Sequence, residues 1–429
     1  MSLTDRSGLR PVGAPAEIVV ARDVADVQET LRRASRDGRP VVTRGAGTGL
    51  AGGAVADEGS IVLDLSGLNR IVRIDPVDGV AEAEAGVITA DLDRAARAHG
   101  LFYAPDPGSV GISTLGGNIA TNAGGLRGAK YGVTRDAVLA LDVVLADGEL
   151  VRVGRPTVKG VTGYDLAGLV VGSEGTLGVV VAATVRLLPM PPEVATLAAS
   201  FATLEDAAAA VAAIAVSGAR PAVLEILDDA TLGAIDAAEG TALRANGAAL
   251  LVAQTDGFGA AAEILAVRAA VDPLAVHAEW TTDPRETERL LAVRRQALPA
   301  IERRGRVLIE DIAVPRSRLV EAIRGIRDIA ARTGTEIFVF GHAGDGNLHP
   351  IIVVGGPPGE GIPVHAQRAA DEIFALALAL GGTLTAEHGI GRLKRDWVGA
   401  ELGPRVHDIQ RALRSLLDPA GILNPGAAI

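Results

Sequence analysis

The chain has 429 residues, 48% hydrophobic and 22% charged, which is the composition of an ordinary globular protein with room for two or three domains. Acidic side chains outnumber basic ones by 52 to 41, and the net charge of −11 argues against nucleic acid or an anionic membrane surface as a partner. With no cysteine, the chain can hold no disulfide, cysteine-ligated zinc, iron–sulfur cluster or thiol-linked cofactor. Aromatic residues make up only 3%, so the cores must be built from Ala, Val, Leu and Ile. The N-terminal MSLTDRSGLRPVG has no apolar h-region, and the longest uncharged run, Pro107–Leu126, is too rich in glycine to span a membrane. A cytoplasmic protein without a transmembrane segment is expected.

Helical periodicity marks Ala25–Asp37, and Arg39–Thr43 reads as a short buried strand. The loop Arg44-Gly45-Ala46-Gly47-Thr48-Gly49-Leu50-Ala51-Gly52-Gly53 follows. Its spaced glycines suggest a nicotinamide-type dinucleotide fingerprint, but no helix follows. Ala51–Ser60 is Gly-rich and acidic, and Ile61–Leu65 is already the next strand. Two readings stay open: a pyrophosphate cradle made of successive N–H groups with charge from Arg44, and a plain glycine turn. Gly79–Ala85 then reads as a strand and Thr89–His99 as a helix.

The most unusual stretch is Pro105–Gly125, PDPGSVGISTLGGNIATNAGG, which has six glycines and no charge after Asp106. Glycines at this density imply close backbone approach or φ > 0 turns. Interleaved Ser109, Ser113, Thr114, Asn118, Thr121 and Asn122 supply small uncharged donors, and Val110, Ile112, Leu115 and Ile119 are too apolar for a bland loop. The combination suits a large, flat, polar-edged cofactor. Val138–Ala146 and Leu150–Val153 read as a hairpin through Asp147-Gly148, and a second glycine turn, Gly172–Gly178, leads into a strand at Val179–Leu187. Pro189, Pro191 and Pro192 mark the best domain boundary.

Beyond Val194 the pattern becomes strand–helix units: strands at Thr196–Phe201, Ala222–Leu227, Ala248–Thr255, Val276–Thr281 and Arg306–Val314, and helices at Leu204–Val216, Ala260–Ala270, Pro284–Arg304 and Ser317–Arg332. An α+β domain with helices covering one face of a sheet is expected. Glu336–Phe340 then breaks into Gly341-His342-Ala343-Gly344-Asp345-Gly346-Asn347-Leu348-His349-Pro350 and resumes as a strand at Ile351–Val354. Two imidazoles on the shoulders of a tight turn, with Glu387 and His388 of Thr385–Gly391 further on, offer a His/His/Glu set for a divalent cation. Turn histidines are also commonly held by hydrogen bonds alone, and the residues by themselves leave both readings open.

Seven motifs in order, RGAGTGLAGG (44–53), PDPGSVGISTLGGNIATNAGG (105–125), KYGVTRD (130–136), GSEGTLG (172–178), GHAGDGNLHP (341–350), AEHGIG (386–391) and LDPAGILNPG (417–426), span nearly the whole chain. Together they resemble the FAD-linked 2-hydroxy-acid dehydrogenases of the vanillyl-alcohol-oxidase superfamily, the group of the glycolate oxidase flavoprotein subunit, flavin-dependent D-lactate dehydrogenase and D-2-hydroxyglutarate dehydrogenase. The resemblance implies an α+β chain: an FAD-binding domain over 1–190, a substrate (cap) domain with an antiparallel sheet over 191–385, and a C-terminal segment over 386–429 that returns to the flavin. It implies FAD contacts from Arg44, Gly45, Ala46, Gly47, Thr48, Gly49 and Leu50, and from Pro107, Gly108, Ser109, Thr114, Gly116, Gly117, Asn118, Thr121, Asn122, Ala123 and Gly124. Glu174, Gly175, Gly178, Val179 and Asn424 complete that set. It gives His342, His349 and Glu387 the role of holding a divalent metal (Zn, Mn, Co or Fe), His388 that of base, and Arg294 that of clamping the substrate carboxylate. A solvated helix face is the competing reading for Arg294 and its neighbour Arg295.

Neither FAD loop contains His or Cys, so the FAD is expected to be noncovalent. Leu298 and Ile309 stand where the hydroxyglutarate enzymes carry Thr and Lys, which favours a lactate- or glycolate-sized D-2-hydroxy acid. The alternatives are a D-2-hydroxyglutarate dehydrogenase, or an FAD-binding subunit active only with an iron–sulfur partner. A flavin-dependent ether-lipid synthase is disfavoured because those chains are longer and this one has no membrane-binding segment. Electrons must leave to another protein or a quinone, and both a homodimer and a partner subunit are compatible with the sequence.

Overall fold

The computed structural model describes residues 3–357 and 361–429. It divides into two compact units. The first comprises the chain up to Gly125, then Gly132–Met190 and Glu387–Ile429; the second comprises Leu126–Tyr131 and Pro191–Ala386.

The first unit contains a parallel sheet in which Ile61–Asp64 lies between Glu17–Val20 and Val41–Arg44. The helix Val24–Asp37 begins at Asp23, whose carboxylate accepts from the Asp26 N–H, and ends at left-handed Gly38. Its Val27, Leu31 and Ala34 are buried in one apolar cluster with Ile61 and Leu63, and their 3–4 residue spacing is what gives the helix a single core face. A second, antiparallel sheet runs Ile71–Asp75, Val80–Glu84, Val179–Arg186, Val138–Val144, Leu150–Gly154. The C-terminus returns to the parallel sheet, where the Asn424 N–H donates to the Val41 carbonyl.

The glycine-rich stretch departs from expectation. Leu115–Thr121, inside the glycine-rich stretch, is a helix, with the Thr114 hydroxyl capping the Gly117 N–H at 3.3 Å and Asn122 closing it at φ 56°. Gly116 and Gly117 cost this helix propensity. The reason lies in packing: a Cβ on Gly116 would stand 2.6 Å from the Ala85 Cβ and 3.0 Å from its carbonyl oxygen.

The second unit is built on an antiparallel sheet in the order Ala275–Thr281, Val194–Phe201, Ala249–Asp256, Val223–Asp228, Ile337–His342, Asn347–Val353, Val307–Ile309, with Ile312–Ala313 also paired to Asn347–Val353. The helices Leu204–Ser217, Ala260–Val271, Pro284–Glu302 and Leu319–Thr333 fall where periodicity puts them, and Asp229–Glu239 and Val364–Ala379 are additional. Two corrections concern chemistry. The expected strand Arg306–Val314 is two short strands broken at Glu310-Asp311, because the buried Asp311 carboxylate is drawn out of the ladder by Asn347, Thr385 and the Ala386 N–H. The hairpin strands also reach further than expected, so His342 and His349 lie within strands and only residues 343–346 form the turn. Among the described residues no helix is long and apolar enough to cross a membrane.

Candidate active site

In the first unit the glycine motifs converge on a cleft. Gly45, Thr114, Gly116, Gly117, Glu174, Gly175, Gly178 and Val179 line it, together with Thr43 and Ala85, which sequence reasoning missed. Side chains at the glycines would fill this cradle: a Cβ on Gly45 would run into the Thr114 hydroxyl, and one on left-handed Gly47 into the Arg44 guanidinium. Buried hydroxyls of Thr43 and Ser113 have no hydrogen-bond partner among the described residues. Backbone held open with spare small donors fits a flat cofactor bound through N–H and O–H groups. Gly116→Val is accordingly expected to purify without the yellow colour of bound flavin. Gly111→Ala, with open space around its Cβ position, is the control expected to stay yellow.

The other expected cofactor residues divide into two groups. Arg44 is buried and donates to the carbonyls of Ala54 (3.3 Å) and Thr4 (2.9 Å), so it braces the loop from beneath. Asn118 donates to the Thr89 hydroxyl, Thr121 to the Gly117 carbonyl, and the Asn122 carboxamide accepts from the Arg135 N–H. The Ala123 carbonyl accepts from Thr134. These four hold the local frame. Ala46, Thr48, Gly49 and Leu50 belong to the loop after Arg44, and Pro107, Gly108 and Ser109 to the turn before Leu115; none of them is among the residues lining the cleft. Asn424, at φ 40°, donates to the carbonyls of Gly53 and Glu174, both at 2.9 Å.

Glu174, itself left-handed at φ 52°, joins this bracket from the other side, accepting the N–H groups of Ile390 and Gly391 at 2.8 Å each. It thereby pins the segment that carries Glu387 and His388, whose Nε2 lies 3.7 Å from a Glu387 oxygen. Glu387 in turn lies against Gly124, where any Cβ would collide with its carboxylate. Burial pushes the Glu174 carboxyl up from 4.5 to about 7, despite those two N–H donors. The folded chain therefore keeps a proton between pH 4.5 and 7 that the unfolded chain has released, so this group's stabilisation is full below pH 4.5 and is lost as pH rises through 7. Relative to Glu174→Gln, the wild type is expected to lose roughly 2–3 kcal/mol of stability between pH 5 and pH 8, read by urea unfolding. A pH-independent difference would contradict this assignment.

In the second unit the sequence residues Arg294, His342 and His349 come together around two buried carboxylates that the sequence did not point to. Glu225 is fully buried, with one oxygen 2.5 Å from Arg294 Nε and the other 2.6 Å from His342 Nδ1. Burial pushes its carboxyl up, but His342 and Arg294 outweigh that and hold it below the usual carboxylate range. The Arg294 guanidinium stacks over the Phe340 ring at 4.4 Å, and its two Nη groups have no partner among the described residues. The His342 and His349 rings meet edge to face with centroids 5.0 Å apart. Asp311 lies 3.6 Å from His349 Nδ1 and also receives Asn347 Nδ2 (2.6 Å), the Thr385 hydroxyl (2.7 Å) and the Ala386 N–H (2.9 Å). Imidazoles and carboxylates of this kind are a donor set that suits Zn, Mn, Co or Fe. Glu387 and His388 belong to the first unit and follow Ala386 directly in the chain.

Residues 190–428 match the family described as FAD linked oxidases, C-terminal domain, and residues 15–154 match the FAD binding domain. The chain belongs to the FAD-linked oxidases. This FAD-linked oxidase is 41% identical over 418 residues to the glycolate oxidase subunit GlcD of Bacillus subtilis, covering 96% of this chain and 88% of that one. It is 36% identical to a D-lactate dehydrogenase of Archaeoglobus fulgidus (96% and 91% covered) and 34% identical to GlcD of Escherichia coli (97% and 84%). Its fold resembles that of p-cresol methylhydroxylase, with a TM-score of 0.79 at 18% identity over 99% of this chain and 90% of the other. The expected α+β architecture with a p-cresol-methylhydroxylase-type FAD domain is thus borne out, as is the enzyme class, an FAD-dependent oxidoreductase.

Proposed function

We propose that this FAD-linked oxidase converts a small D-2-hydroxy acid, lactate- or glycolate-sized, to the 2-oxo acid with the assistance of a divalent cation. The observation that carries the reading is the Arg294 fork: a guanidinium fixed through Nε by a buried carboxylate, stacked on Phe340, with both Nη groups available to a planar carboxylate. The names of the relatives, a glycolate oxidase subunit and a D-lactate dehydrogenase, support it.

In this reading FAD, when bound, would supply the hydride acceptor, and His342, His349 and Glu387, with Asp311 as a further candidate ligand, would hold a divalent cation that would supply a Lewis acid for the substrate hydroxyl. Arg294 orients the acid through its carboxylate, and the His388 imidazole takes the hydroxyl proton. Leu298 follows Arg294 by one helical turn on Pro284–Glu302, and with Ile309 it packs against the apolar cluster of Phe340 and Ile351. Neither can pair with a second carboxylate, so a dicarboxylic acid is disfavoured. The word subunit in the names of the glycolate oxidase relatives favours electron transfer to a partner protein, and a quinone is the other acceptor.

A steady-state panel of D- and L-lactate, glycolate and D-2-hydroxyglutarate with an artificial acceptor tests the substrate class. D-lactate or glycolate is expected to give the highest kcat/KM. Preference for D-2-hydroxyglutarate would overturn the size argument, and full turnover by the isolated chain would argue against an obligate iron–sulfur partner.

A further inference from the structure

We infer that Glu225 is a positioning residue that couples the two halves of the second unit's chemistry, setting the Arg294 fork with one carboxylate oxygen and the ring state of His342 with the other. The inference rests on the reading of Arg294 and His342 given above. Strand register makes the arrangement unavoidable: Glu225 on Val223–Asp228 is paired directly with His342 on Ile337–His342, so both side chains leave the same face of the sheet. Arg294 reaches the same carboxylate from the helix Pro284–Glu302.

Each contact has a chemical consequence. An ionised carboxylate has no proton to donate, so at 2.6 Å the hydrogen between Glu225 and His342 sits on Nδ1, and in the neutral ring Nε2 carries the lone pair. That is the ring state a cation requires, and a carboxylate behind a ligating imidazole raises its basicity. On the other side, spending Nε on Glu225 fixes the guanidinium plane over Phe340 and reserves the Nη pair for substrate. Neutralising Glu225 therefore disturbs acid binding and cation binding together, which a merely space-filling buried acid would not do. Asp228, three residues on in the same strand and also buried, serves as the comparison: it accepts the N–H groups of Thr231 and Val339 and touches neither Arg294 nor His342.

The test uses flavin-loaded full-length protein stripped of divalent metal. Glu225→Gln is expected to weaken Co(II) binding, followed by its visible absorption, by about 10–100-fold and to raise the KM for D-lactate at least about tenfold. Glu225→Asp is expected to recover part of both, and Asp228→Asn to lower the melting temperature while leaving both unchanged. Equal Co(II) affinity and KM in Glu225→Gln would overturn the inference. If His342→Ala and Arg294→Lys also leave them unmoved, the underlying reading of the site fails instead. Should Glu225→Gln not fold, nitrogen NMR of the histidines in the metal-stripped wild type decides the matter. His342 protonated on Nδ1 supports the inference, and His342 protonated only on Nε2 overturns it.

Discussion

Arg294→Lys should reduce kcat/KM for the 2-hydroxy acid by about 10²–10⁴-fold while the protein keeps its flavin and its fold. A guanidinium can serve Glu225 through Nε and a substrate carboxylate through its two Nη groups at the same time, whereas one ammonium cannot satisfy both. Two charge-assisted hydrogen bonds at about 1.5–3 kcal/mol each account for the magnitude. Lysine is a better probe than alanine because it keeps a cation beside the buried Glu225; removing one partner of a buried pair costs about 3–5 kcal/mol in its own right. The loss should fall mainly on KM, since the carboxylate is bound in the ground state as well as the transition state. If Arg294→Lys turns over at wild-type efficiency, the carboxylate clamp lies elsewhere.

His388→Asn should act on the other kinetic constant. General-base catalysis contributes typically about 10²–10⁴-fold, so kcat should fall by that factor while KM for the acid changes little. His388 sits beside Glu387 on a segment pinned by Glu174, so the side chain can be replaced without releasing the backbone that carries it. A variant with unchanged kcat would remove His388 from the proton-transfer step.

The glycine motifs and the apolar strands were legible in the sequence because local chemistry determines them. Gly45 and Gly116 are glycines because a Cβ would strike Thr114 or Ala85, and the alternation of glycine with Val, Ile and Leu records that packing directly. His342 and His349 were legible as a pair because the six residues between them, AGDGNL, carry the Gly, Asp and Asn that bring them back across a hairpin. Glu225 and Asp311 were not. In the runs AVLEILD and LIEDIAV each looks like an ordinary acid on a strand, and nothing local reveals that its partners lie 69 and 117 residues away for Glu225, or 36 and 74 for Asp311. The break that splits residues 306–314 into two strands has the same origin, since the long-range demands of Asp311 override the β pattern around it. The helix at Leu115–Thr121 was hidden for the opposite reason: its glycines read as loop, although close packing on Ala85 is what they serve.

The most direct test of metal-assisted hydroxy-acid oxidation is an anaerobic stopped-flow record of flavin absorbance on mixing with D-lactate or glycolate, before and after removal of divalent metal. The expected result is rapid bleaching by one of these acids that is lost on chelation and restored by adding back a single divalent cation. Bleaching at an undiminished rate after metal removal, or none with any acid despite full FAD occupancy, would contradict it.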